Sequence, residues 1–259
     1  MSAHFWDADA YLAFADERGR PFDELVRRVG AEEPSFVVDV GCGPGNLTSA
    51  LPDRWPGATV LGVDSSPEMI RAAKELPARS RLSFEQADLR AWRTSGPVDV
   101  IVANAVLQWI PDHLALLERL VGQLSHGGWL ALQVPGNFEQ PSHRLLHELA
   151  ADPRFAPFTG GVATPRAHDP QVYLEVLTGL GCTVDAWETT YLQVLSGPDP
   201  VFRWISGTGA RPVLQSLPDP QRAEFEQEYA RLLAEAYPPQ HQGTVLPFRR
   251  VFAVAQRRT

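Results

Sequence analysis

Three glycines at every second position, Gly41, Gly43 and Gly45, follow the apolar run Phe36, Val37, Val38, Asp39, Val40 and precede Leu47 to Leu51. Glycine in that rhythm lets a backbone turn sharply and leaves room for a ligand where a Cβ would collide. A strand, a glycine turn and a helix together form a general nucleotide-binding device. The spacing departs from the dinucleotide pattern, since Asn46 stands where G-x-G-x-x-G puts its third glycine. Two acids and an amide recur at comparable places. Asp64 ends an apolar run 21 residues after Gly43, where a carboxylate accepts from a ribose diol; the competing role is a helix N-cap, which Ser65 or Ser66 can also fill. Asp88 follows another short run and can accept from an adenine amino group or serve as a turn acid, and Asn104 closes a further run.

These residues need a scaffold that brings strand ends together. The pattern predicts strands over 36–40, 58–64, 81–85, 98–104 and 129–134, separated by helices over 46–54, 67–76 and 114–124, the last stopped by Gly127 and Gly128. Leucines at 114, 117, 120 and 124 give that last helix one core face. Strand and helix in alternation argue for a parallel sheet covered on both faces, with ligands beyond the carboxyl ends of its strands. A short helix over 22–29, ended by Gly30, precedes the alternation.

Past Pro135 the rhythm breaks. Helices are predicted over 142–151, 171–179, 200–208 and 219–236, with a link at Arg211 and Pro212, and long strands over 182–195 and 244–255 that pair antiparallel. The expected fold is α/β: a doubly wound, mostly parallel seven-stranded sheet with an antiparallel last strand and helical cap insertions. One domain spans 1–259, with a lid and helices in 1–30, a ligand-binding half in 31–135, and caps at 136–170 and 197–243. Trp6, Tyr11 and Phe14 in the first segment either pack on the core or close over the glycine turn.

Composition narrows the classes. A net charge of −8 over 259 residues, with no Lys/Arg-dense segment, disfavours nucleic acid. Cys42 and Cys182 have no metal spacing and fit a reduced, cytoplasmic protein. No metal is expected. There is no signal-peptide pattern, and no apolar run approaches the ~20 residues of a membrane span.

The run Val38 to Gly45, followed by Asp64, Asp88 and Asn104, resembles the class I S-adenosylmethionine-dependent methyltransferases. Further segments extend the likeness: Tyr11 to Phe14, Arg18 to Pro21, Asp64 to Met69, Gln108 to His113, Trp187 to Tyr191 and Pro247 to Arg250. The resemblance implies that Gly41, Gly43, Gly45 and Asp39 hold the methionine end of the cofactor, that Asp64 with Ser65 takes the ribose, and that Asp88 takes the adenine amino group. Leu89 flanks the ring and Asn104 lies near the sulfonium. A cleft lined with acids suits a ligand bearing a sulfonium and an ammonium.

The C-terminal segments narrow the resemblance to members that esterify a small polycarboxylic acid such as trans-aconitate, leaving S-adenosylhomocysteine. A carboxylate with a pKa near ~4 is already ionised at neutral pH, so no general base and no catalytic residue in that sense is expected. A trianion needs arginines, whose planar fork pairs carboxylates. Alternation turns only one of Arg249 and Arg250 inward, and Arg249 is the choice; Arg18, Arg211 and Tyr11 follow as positioning residues. Arg20, Arg144, Trp109, Asn137 and His143 complete the candidates, the last two aromatics more in keeping with core or helix surface. Two alternatives stay open: an O- or N-methyltransferase for another small molecule, and a non-catalytic binder of S-adenosylmethionine.

Overall fold

The computed structural model describes residues 15–258, and of 15–18 the backbone alone. Tyr11, Trp6 and Phe14 therefore lie outside the described residues, and Arg18 is placed only as a position on the first helix.

Seven strands form one sheet: β1 Phe36–Val40, β2 Thr59–Asp64, β3 Leu82–Gln86, β4 Val98–Asn104, β5 Leu124–Pro135, β6 Cys182–Leu195 and β7 Thr244–Arg257. Their order is β3-β2-β1-β4-β5-β7-β6. Strands β1 to β5 pair parallel, and β7 enters antiparallel between β5 and β6. The order reverses at β1 and β4, so a crevice opens beyond their carboxyl ends, where Gly41 and Asn104 stand.

The helices are α1 Ala15–Arg27, α2 Leu51–Arg54, α3 Pro67–Glu75, α4 His113–Gly122, α5 Pro141–Ala150, α6 Ala156–Thr159, α7 Pro170–Gly179, α8 Pro200–Ser206, α9 Arg211–Ser216 and α10 Asp219–Ala236. Ser66 caps α3, its Oγ accepting from Met69 N at 3.2 Å. The cap is thus not Asp64, which leaves that carboxylate for other work.

Three local expectations are corrected. Gly127 and Gly128 do not separate a helix from a strand; they sit inside β5, which starts at Leu124 opposite Val98. Gly127 has φ +77, and the register shifts between Val98 and Val100, so the glycines form an irregularity within the strand. Arg211 and Pro212 open helix α9 rather than a link, because proline fits a first helical turn. The helix after the glycine turn is a 3-10 turn, Thr48–Ala50, running into the short α2.

The sheet has two apolar faces. Val38, Val40, Ile101, Ala103, Leu130 and Leu132 meet Leu117 and Leu120 of α4 and Leu177 of α7. On the other face Val37, Val100, Val102, Ala131 and Phe252 meet Phe22, Leu25 and Val26 of α1. A third cluster joins Leu146 of α5, Trp204 of α8, Phe225 and Tyr229 of α10, and Phe248 of β7. It lies over the carboxyl edge, because α5 follows directly on β5 and Phe248 precedes the residue that pairs beside its end. Among the described residues no helix is long and apolar enough to cross a membrane.

Candidate functional site

The glycine turn bends hard against its own sheet. Gly41 and Cys42 both donate to Val63 O, at 2.7 and 3.1 Å. Gly41, Gly43 and Gly45 have φ +75, +56 and +78. Two of them are backed by protein: a Cβ on Gly41 would lie 2.3 Å from Val106 Cγ2, and one on Gly45 would lie 2.7 Å from Phe84 Cζ. A Cβ on Gly43 would meet nothing within 4 Å. Gly43 is therefore the glycine that faces open space.

Two carboxylates sit behind this turn. Asp64 accepts from Gly43 N at 2.9 Å and from Ser66 N at 2.8 Å. Its burial pushes its pKa up, against the pull of those N–H groups. Asp39 is almost fully buried and accepts from Thr48 Oγ1 at 2.6 Å. Burial pushes its carboxyl up to about 7, so the proton is held far above the ordinary carboxylate range. A cation arriving here would relieve both groups.

The remaining cofactor candidates differ in setting. Asp88 is half-exposed and gripped by Arg90, whose Nη2 lies 2.6 Å from Oδ2; that contact holds the carboxyl below its usual range. Leu89 belongs to the buried core. Ser65 is exposed, and its carbonyl accepts from Gln86 Nε2 at 3.4 Å. Asn104 ends β4, and its buried Oδ1 has no hydrogen-bond partner among the described residues.

A polar row continues from Asn104 across the sheet. Alternation from Val37, Val102, Ala131 and Phe252 puts Asp39, Asn104, Gln133 and Arg250 all on the face covered by α1. Asn104 is the register partner of Gln133, and Pro135 that of Arg250. Gln133 is 1% exposed; its Oε1 accepts from Arg250 Nη1 at 3.3 Å. The Arg250 guanidinium also lies 4.5 Å over the Phe248 ring. Nothing in the residue-type reading singled out Gln133. The available signal was a lone amide in the apolar run of β5, in phase with Ala131.

Arg249 and Arg250 do point apart, and Arg250 is the one on the Asn104 face. Arg249 is held on the other face: Nη2 lies 2.5 Å from Glu188 Oε2 and 2.6 Å from Asp169 Oδ1, and Nη1 donates to Gly136 O at 3.2 Å. The difference is one of parity that sequence alone leaves undetermined. Arg211 is half-buried at the start of α9, within the segment 197–243.

Asn137, just past β5, and Ser142 both approach His143 Nδ1, at 3.3 and 3.2 Å. Burial lowers the His143 pKa to about 4, so the ring is neutral. Among the described residues no group of three or more metal-type side chains gathers. Taken together, the turn, the acids behind it and the open acceptor at Asn104 fit a cationic nucleoside such as S-adenosylmethionine. The neighbouring arginine and amide fit an anion.

A methyltransferase-domain family profile matches residues 38–130. The fold is shared with the YcgJ protein of Bacillus, at TM-score 0.58 and 12% identity over 93% of this chain and 99% of that one. It is shared also with phosphoethanolamine N-methyltransferase 2 of Haemonchus contortus, solved with S-adenosyl-L-methionine, at TM-score 0.55 and 16% identity over 93% of this chain and 53% of that one. Sequence relatives are much nearer. A trans-aconitate 2-methyltransferase of Rhodococcus jostii is 50% identical over 255 residues, 97% of this chain and 99% of its own length. One of Streptomyces avermitilis is 47% identical, covering 97% of both chains. Identity of that depth, held from end to end and not only in the glycine-turn half, makes this chain a member of the trans-aconitate 2-methyltransferase family.

Proposed function

We propose that the protein esterifies one carboxylate of trans-aconitate with the methyl group of S-adenosylmethionine. The observation that carries the reading is the sorting of charge along one sheet edge: Asp39 and Asp64 behind the glycine turn, Arg250 on β7, three strands from β1, and the neutral amides of β4 and β5 between them. The names of the near relatives agree with it.

When bound, the cofactor supplies a methyl on a sulfonium, which passes to a carboxylate oxygen as the S–CH3 bond breaks and S-adenosylhomocysteine is left. The chain's own groups then divide the work of holding cofactor and acceptor. Gly43 gives the backbone approach, while Asp64, with Ser65 beside it, takes the ribose hydroxyls. Asp39 and Gly41 and Gly45 secure the methionine end; Asp88 turns from Arg90 to the adenine amino group, with Leu89 as the wall beneath. Asn104 offers its oxygen toward the positive end of the ligand. On the acceptor side Arg250 supplies a cation on the Asn104 face, with Arg211 from the cap, Arg18 from α1, and Tyr11 as further positioning groups. Arg249 keeps its place between Glu188 and Asp169, ordering the end of β5.

No general base enters. The nucleophile is ionised already, and His143 is neutral and engaged at Nδ1. Rate enhancement then comes from alignment, worth up to ~7–11 kcal/mol, and from stripping water off the attacking oxygen.

The chain is then one methyltransferase domain, with a lid and helices in 1–30, the cofactor half in 31–135, and caps at 136–170 and 197–243. A cytoplasmic setting is in keeping with two buried free thiols, and the proposed partners are small acids rather than nucleic acid or membrane. Purified protein given methyl-labelled S-adenosylmethionine and trans-aconitate is expected to form a base-labile methyl ester. Labelled product from neutral acceptors only would overturn the proposal.

A further inference from the structure

Asn104 and Gln133 are neighbours on adjacent parallel strands, their side chains on one face. Each is an amide, each carries one buried atom with no hydrogen-bond partner among the described residues, and the two atoms are of opposite kind. On Asn104 it is the acceptor Oδ1; on Gln133 it is the donor Nε2. A buried polar atom left unpaired costs ~1–3 kcal/mol, so it normally has an occupant.

The orientation of Gln133 is not arbitrary. A guanidinium can only donate, so the atom facing Arg250 Nη1 must be the amide oxygen. That fixes the amide nitrogen on the other side. The buried glutamine is thus aimed by the arginine, and its free N–H points away from the arginine as a second donor.

We infer that Gln133 is a specificity-determining residue for the acceptor. Its Nε2 donates to a carboxylate of the substrate beside the methyl, while Arg250, on the far side of the amide, aims that donor and attracts the anion by its charge. Asn104, one strand closer to the glycine turn, offers the opposite polarity to the cationic side. The step from acceptor to donor between two adjacent side chains marks the line along which cofactor and substrate meet.

This assignment rests on the methyl-esterification reading, and the experiment separates the two. Turnover and S-adenosylmethionine affinity are measured for the wild type, Gln133→Met and Gln133→Glu, with trans-aconitate as the acid. Methionine keeps length without a donor; glutamate keeps shape and replaces the donor with an anion facing the acid. Both variants are expected to bind S-adenosylmethionine within about threefold of wild type by calorimetry, which also reports that they fold. The KM for trans-aconitate is expected to rise about tenfold or more in Gln133→Met, a loss of ~1.4 kcal/mol, and further in Gln133→Glu. A KM unchanged in both, with the wild type active, overturns the role of Gln133 alone. Cofactor affinity that falls as far as KM rises overturns it too, by making Gln133 part of the cofactor side or of the core. A wild type that methylates no polycarboxylate removes the proposed function and this inference together.

Discussion

Tyr191 donates its hydroxyl to Glu24 Oε2 at 2.6 Å, tying strand β6 to helix α1 across 167 residues of sequence. Arg20 completes the link, 2.8 Å from Glu24 Oε1 and stacked 4.9 Å over the Tyr191 ring. Burial raises the Tyr191 pKa, so the phenol stays a donor, and Glu24 is held below its usual range in spite of its own burial by the Tyr191 and Arg20 hydrogen bonds. Removing the hydroxyl leaves a half-buried carboxylate with one partner fewer. Tyr191→Phe is expected to lower unfolding stability by ~1–2 kcal/mol in denaturant titration, with m unchanged. Amide exchange in α1 is expected to quicken more than in β1, because the helix has lost an anchor that the strand never used.

The three glycines of the turn do different jobs, and alanine tells them apart. Gly41→Ala would put a methyl 2.3 Å from Val106 Cγ2 at φ +75, and the expected result is a protein that folds poorly or not at all. Gly43→Ala meets no atom within 4 Å, so its cost is the left-handed backbone alone, ~1–2 kcal/mol. Its folded form is nonetheless expected to lose S-adenosylmethionine affinity by about tenfold or more, since the new methyl occupies the approach to the turn. Unimpaired cofactor binding by folded Gly43→Ala would show that the ligand lies elsewhere.

Asp39 makes stability depend on pH in an unusual direction. Its folded pKa is raised to about 7, while an unfolded aspartate titrates near ~4. Between those values the folded state holds more protons than the unfolded state, so stability falls as pH rises. The contribution is complete below the unfolded pKa and gone once pH passes the folded one. Asp39→Asn has no such proton to lose. In the cofactor-free protein its Tm relative to wild type is expected to climb from about pH 4 to about pH 7 and to level off above that. Two Tm curves that stay parallel over that range would mean that Asp39 is ionised throughout.

Arg249 and Arg250 give a paired test of which face holds the acceptor. Arg249→Gln breaks contacts to Asp169 and Glu188, whose side chains are 73% and 47% exposed. Partly solvated ion pairs are worth ~0–1 kcal/mol, so stability and the KM for trans-aconitate are expected to move little. Arg250→Gln removes the guanidinium of a residue that is only 7% exposed, from the Asn104 face. Its KM is expected to rise by about tenfold or more at near-constant cofactor affinity. The reverse ranking would move the acceptor to the Glu188 side of the sheet.

Much of this arrangement was legible from residue types, and the exceptions have physical reasons. Strands β1 to β4 were visible because buried parallel strands read as apolar runs, and Asp64 was visible because it stopped one, but the alternation with helices lapses between β3 and β4, which only turns connect. Gly127 and Gly128 misled, since a bulge inside a strand and a loop between elements use the same residue. The parity of Arg249 and Arg250 was legible as a choice between two faces, but the face depends on β7 entering between β5 and β6, which no local pattern encodes. Gln133 was passed over because one amide within an apolar strand has no chemical partner in sequence. Its meaning comes from Asn104 beside it and from Arg250, 117 residues later.

That separation also bears on how the molecule assembles. During synthesis β1 to β5 leave the ribosome long before β7, and until β7 arrives the outer margin of β5 has open N–H and C=O groups. Such a margin invites pairing with other chains, and slow, distant closure prolongs the exposure. The half that grips the nucleoside can be shaped early, whereas the arginine and the glutamine it orients come together only when translation is nearly done. A nascent chain stalled before β7 would have the glycine turn, yet it would lack Arg250, the cation that aims Gln133.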